Sequence, residues 1–118
     1  MKRRGRRRAR PLGRNRGGTG MLYLVATLKT VTGERAAVVA AARPCIEATR
    51  QEPGCLRYDL FESVTDPDLL TFIEAWEDEA ALARHGTMPH VLAWRAASAP
   101  HRTTTQLEII FPDRVEVR

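Results

Sequence analysis

Five side chains near the middle of this sequence could act together: Tyr58, Glu74, Trp76, His85 and His90. An imidazole can accept, donate or pass on a proton near neutral pH. An indole adds a broad flat surface and one N–H donor. On one wall, Trp76 and His85 would suit a phenolic guest, stacked by one and ionised by the other. Tyr58 is a candidate proton donor. Glu74 stands among apolar residues, so its carboxylate must find a partner or titrate upward; Arg57 and Arg95 are the candidate ion partners. The competing roles are structural: Trp76 as core packing, the histidines as helix caps, and Tyr58 as a half-buried ring with its hydroxyl at the surface.

Other chemistries lack their residues. His85 and His90 are five positions apart across a glycine and a proline, so they would not share a helical face as a His-x3-His pair does. His101 falls in a polar stretch, and no Cys-x2-Cys companion exists, so no zinc or iron site is expected. No glycine-rich phosphate loop follows a strand-like run. Cys45 and Cys55 have no activating neighbour in sequence and read as reduced packing residues.

The elements that must position these groups follow from periodicity. Leu22–Leu28 is a short apolar run that reads as a strand. Thr32 is placed to cap a helix whose first turn holds Glu34. Val39, Ala42 and Ile46 recur at helical spacing, Pro44 should kink that helix, and Pro53-Gly54 stops it. Cys55–Val64 and Leu69–Trp76 alternate with period two around the turn Thr65-Asp66-Pro67-Asp68, a hairpin whose faces should both be largely covered. Asp78 starts the next helix and Gly86 breaks it, with Thr87 as the cap of a continuation through Pro89, Val91, Leu92 and Trp94. Thr104–Phe111 forms the last strand.

That order, β-α-β-β-α-β, predicts an α+β ferredoxin-like domain with helices on one face of an antiparallel sheet. The other face carries apolar residues too, so a second copy related by a two-fold axis should cover it.

The chain has 118 residues, room for one domain. Its formal charge of +5 is unevenly spread. Residues 1–20 hold nine basic side chains and no acid, which leaves ten basic against fourteen acidic groups and a charge of −4 beyond them. The glycine-rich, arginine-rich extension 1–20 cannot bury enough surface to order itself. It reads as a disordered arm, as a mis-assigned start with Met21 as the true first residue, or as a contact for nucleic acid through counterion release. Residues 21–112 form the domain and 113–118 a tail. No stretch is long and apolar enough for a membrane span or a secretory signal, so a cytoplasmic location is expected.

The sequence resembles the antibiotic biosynthesis monooxygenase family, close to its quinol monooxygenases, over about Leu22–Phe111. The matching positions are Glu52-Pro53-Gly54-Cys55-x-x-Tyr58, Asp66-Pro67, Glu74-x-Trp76, the acidic run Glu77 to Glu79, Leu82 and His85-x4-His90. The resemblance implies ferredoxin-like homodimers whose sheets join into a dimeric α/β barrel. Several members oxygenate hydroxylated aromatics with O2 and neither metal nor flavin. Carried onto this chain, Trp76 would line the pocket, His85 would be the base and Tyr58 a weaker catalytic candidate. Phe72, Met88, His90 and Trp94 would shape the substrate site with Glu74. Haem-degrading relatives carry an asparagine on the first strand; none stands here, and Thr27 could offer only a hydroxyl. The leading expectation is a cofactor-independent oxygenase of a small quinol or polyphenol. An isomerase or haem-handling activity on the same scaffold, and a non-catalytic binding dimer, are the alternatives.

Overall fold

A computed structural model of the protein describes residues 20–118. The basic arm 1–20, apart from Gly20, lies outside the described residues. Strand β1 (Leu22–Thr30) buries every second side chain, from Leu22 through Leu24, Ala26 and Leu28 to Thr30. This period-two burial makes it the centre of the sheet. Helix α1 (Arg35–Thr49) follows, then the hairpin β2 (Cys55–Glu62) and β3 (Leu69–Trp76). Two short helices, α2 (Glu79–His85) and α3 (Pro89–Ser98), precede a single 3-10 turn and the last strand β4 (Arg102–Ile110). The sheet order is β2-β3-β1-β4, with every neighbouring pair antiparallel. The fold is the expected ferredoxin-like α+β sandwich.

Several local expectations are corrected. Thr32 does not cap α1: Gly33, at φ +81°, turns the chain first, and Glu34 takes the cap position without a side-chain cap bond. The buried stripe of α1 is Val38, Ala42, Cys45 and Thr49, whereas Val39 and Ile46 are only partly covered. Small residues lie where the helix rests closest on the sheet. Pro44 sits inside α1 without ending it. Its ring and Ala40, whose carbonyl loses a donor, are both on the exposed side, where water can replace the missing bond.

The hairpin is unevenly covered. β3 is largely buried, but Leu56 and Phe61 on β2 are 59% and 42% exposed. The pairing slips between Cys55 and Arg57, which breaks the expected alternation at Leu56. Asp78 caps α2 as expected, its carboxylate accepting from Ala81 N at 2.8 Å. Thr87 does not cap α3; its hydroxyl donates back to the Arg84 carbonyl at 2.7 Å, and Met88 holds the cap position before Pro89. The helices leave most of β4 uncovered: it is exposed from Thr103 to Ile110, and α3 meets it at Arg102.

Candidate functional site

The site is built around a turn. After α1 the chain runs Glu52-Pro53-Gly54, and Gly54 adopts φ +85°. A Cβ there would lie 2.6 Å from the Ala81 Cβ, so only glycine lets this turn press against α2. The Gly54 carbonyl accepts from Glu77 N at 2.8 Å, tying the turn to the end of β3. The Glu52 carboxylate is thereby held inside the protein, its side chain only 6% exposed.

Two imidazoles converge on that carboxylate. Oε2 of Glu52 lies 2.9 Å from Nδ1 of His85 and 2.6 Å from Nε2 of His90. The spacing in sequence gave no sign of this. His85 ends α2 and His90 opens α3, and the bend between the two helices swings both rings towards the Glu52 turn. The donor atoms of Glu52, His85 and His90 all lie within 4.8 Å of one another. Among the described residues these three could hold a divalent ion, which the spacing of the histidines alone did not suggest. An ion there would have to replace both hydrogen bonds to Oε2.

A carboxylate only accepts, so each imidazole donates to it: His85 from Nδ1 and His90 from Nε2. This fixes the tautomer of His85 and leaves its Nε2 with a free lone pair, with no protein partner among the described residues. Burial pushes the His85 pKa below its ordinary value, against the upward pull of Glu52. The ring packs against Trp76, centroids 4.7 Å apart, and against Tyr58 at 5.3 Å.

His85 lines a cleft of about 500 Å³ between the helix-facing side of the sheet and the pair α2–α3. Leu24, Ala26 and Phe72 supply its floor, and Trp94, Tyr58 and Glu74 line it with them. Five of the expected residues therefore meet there: Tyr58, Phe72, Glu74, His85 and Trp94. Four do not. Trp76 is fully buried behind His85 rather than on the wall, a consequence of its position at the covered end of β3. Thr27 alternates with the buried Ala26 and Leu28, so it belongs to the opposite face of the sheet. Met88 packs against the core at the start of α3, and His90 stands behind the cleft on Glu52.

Glu74 finds its partner on its own strand. Trp76 Nε1 donates to Glu74 Oε1 at 2.9 Å, and neither Arg57 nor Arg95 pairs with it. Burial raises its pKa from 4.5 to about 7. The Tyr58 hydroxyl is not at the surface. It lies 3.9 Å from Cys45 Sγ, and burial drives its pKa far above the usual phenol value, which makes it a poor proton donor.

Glu52, Arg102 and the β4 side chains Thr105 and Leu107 join the site without a forecast from sequence, and Arg95 enters it as a cleft residue rather than as an ion partner of Glu74; all except Glu52 line the cleft. Glu52 left a trace in sequence as a carboxylate preceding the Pro53-Gly54 turn, and Arg95 as a candidate ion partner of Glu74.

Comparisons with known proteins bear on the family and the fold. The sequence model of the family described as antibiotic biosynthesis monooxygenase matches residues 21–97. "Putative monooxygenase YcnE" of Bacillus subtilis is 33% identical over 70 residues, 59% of this chain and 74% of that protein. "Putative monooxygenase Rv0793" of Mycobacterium tuberculosis is 35% identical over 78 residues, 66% of this chain and 76% of that one. The solved structure of Rv0793 superposes with a TM-score of 0.76 at 27% identity, over 83% of this chain and all of that one. PA3566 of Pseudomonas aeruginosa gives 0.75 at 29% identity, over 80% and 96%. The chain belongs to the antibiotic biosynthesis monooxygenase family.

Proposed function

We propose that the protein is a cofactor-independent monooxygenase that oxygenates a small hydroxylated aromatic, of the quinol or polyphenol type, with O2. The observation that carries this reading is one side chain: His85 lines the cleft while buried Glu52 holds its Nδ1. A neutral imidazole kept so by burial can take a phenolic proton on Nε2, and the Glu52 carboxylate then stabilises the imidazolium that forms.

The electron-rich phenolate gives one electron to O2, and the resulting radical pair joins at a ring carbon to form a C–O bond. Removal of the proton on that carbon then expels one oxygen atom as water and leaves a carbonyl. All electrons come from the substrate, and one atom of O2 remains on it. The protein supplies position, proton removal and an apolar floor that sheds water. The family assignment and the names of the relatives support the reaction class.

The test is O2 uptake by metal-free protein with a panel of hydroquinones, measured above the autoxidation blank. His85→Ala should lower the protein-dependent rate by about a hundredfold or more, the range of a lost general base. Glu52→Gln should lower it less, because the amide oxygen still accepts from Nδ1 but no longer offers a charge to the imidazolium. Native rates in His85→Ala would end the proposal.

A further inference from the structure

Two guanidinium groups line the same cleft, and among the described residues neither meets a carboxylate. Arg102 is half-buried and pinned in place by neutral acceptors. Its Nε donates to Ser98 Oγ at 2.8 Å, Nη1 to Thr105 Oγ1 at 3.2 Å and Nη2 to the Arg95 carbonyl at 3.3 Å. Its central carbon stands 6.0 Å from the centroid of the Trp94 ring. Among the described residues Arg95 donates only to the Gly86 carbonyl, at 3.4 Å. By contrast, Lys29, Arg35, Arg50 and Arg57 each pair with an acid at the surface.

A cation fixed by neutral acceptors keeps its full charge, and half-burial makes that charge costly until an anion arrives. Arg102 has five N–H donors, of which the three named bonds use three. The planar fork suits a carboxylate or similar oxyanion far better than a neutral hydroxyl. The acid inside the cleft, Glu74, is already engaged by Trp76 and lies on β3, whereas Arg95 and Arg102 belong to α3 and β4.

We infer that the cleft selects an anionic aromatic: a hydroxylated ring carrying a carboxylate, with the ring over Phe72 beside Trp94, the acid group on Arg102 and Arg95, and the hydroxyl towards His85. The inference deepens the oxygenase reading by naming its substrate class, and it rests on the cleft being the substrate site.

Binding under anaerobic conditions separates it from the chemistry. Quenching of tryptophan fluorescence is titrated with three probes of one ring: hydroquinone, gentisate (hydroquinone with a carboxylate) and hydroquinone bearing an aminomethyl group. Gentisate should bind at least ~10-fold more tightly than hydroquinone, the scale of a charge-assisted hydrogen bond. High salt should narrow that gap, and the cationic probe should bind most weakly. Arg102→Gln and Arg95→Gln should each narrow the gap in affinity between gentisate and hydroquinone. The probe series on the native protein stands even if a variant does not fold. Equal affinity for gentisate and hydroquinone would overturn the inference without touching the oxygenase reading. Preference for gentisate with no O2 uptake from any hydroquinone would do the reverse. Binding of none of the three would remove both.

Discussion

Glu74 and His85 pull the pH dependence of stability in opposite directions. The folded protein holds Glu74 at a pKa of about 7 against 4.5 for the free side chain. Between those values the native state binds more protons than the unfolded one, so stability falls as pH rises through that window, by about 3 kcal/mol in all. His85 has its folded pKa below 6.5. Its contribution is present above that value and is lost as pH drops through the folded pKa. Glu74→Gln keeps an oxygen for the Trp76 N–H and removes the charge. Urea unfolding should show this variant unchanged below pH 4.5 and stabilised by up to about 3 kcal/mol above pH 7. An equal gain at both pH values would mean that desolvation of the carboxylate is not the cause.

At the scale of elements, the turn after α1 and the helix α2 behave as one part, because Gly54 brings backbone against the Ala81 side chain. Gly54→Ala must pay for a positive φ and for a 2.6 Å approach to the Ala81 Cβ. Gly33 also has positive φ, but nothing lies within 4 Å of a Cβ placed there. Thermal unfolding should therefore show a loss of about 1 kcal/mol for Gly33→Ala, from backbone conformation alone, and about 2 kcal/mol or more for Gly54→Ala. Comparable losses would show that the contact with Ala81 gives way easily.

The same turn marks the limit of what sequence can disclose. Pro53-Gly54 announces the end of a helix through local chemistry, and the hairpin and the start of α2 are equally local. Period two in β1 and β3 gives the sheet, and the run of elements gives its topology. What periodicity does not carry is contact between distant segments. Glu52 meets His85 across 33 residues, a meeting no spacing rule encodes. Hydropathy also favours large side chains, and so it directs attention to Val39 and Ile46 on α1 when the buried stripe is Ala42, Cys45 and Thr49 with Val38. Trp76 misleads in the opposite way: a large ring reads as a binding surface, yet here it fills the core behind the base.

For the whole molecule, the sheet face away from the helices is the open question. Tyr23, Val25 and Ile73 are half-buried there, and Phe61 and Ile110, whose positions in the pairing put them on the same face, are 42% and 45% exposed. We expect a second copy to cover it about a two-fold axis, since an apolar sheet face of this extent costs free energy in water. Sedimentation should give the mass of a dimer for the native chain and of a monomer for Ile73→Lys, which puts a charge at the centre of that face. A native monomer would leave the apolar face to another partner. Among the described residues no helix is long and apolar enough to cross a membrane.

Because one oxygen of Glu52 serves both rings, the two histidines share a single anchor. His90 is the more accessible of the pair, its side chain 21% exposed against 8% for His85. A contact made from outside that tightened or freed the outer ring would change the hold of the shared oxygen on the inner one. A His90→Ala variant would therefore leave the whole of that oxygen to the cleft imidazole.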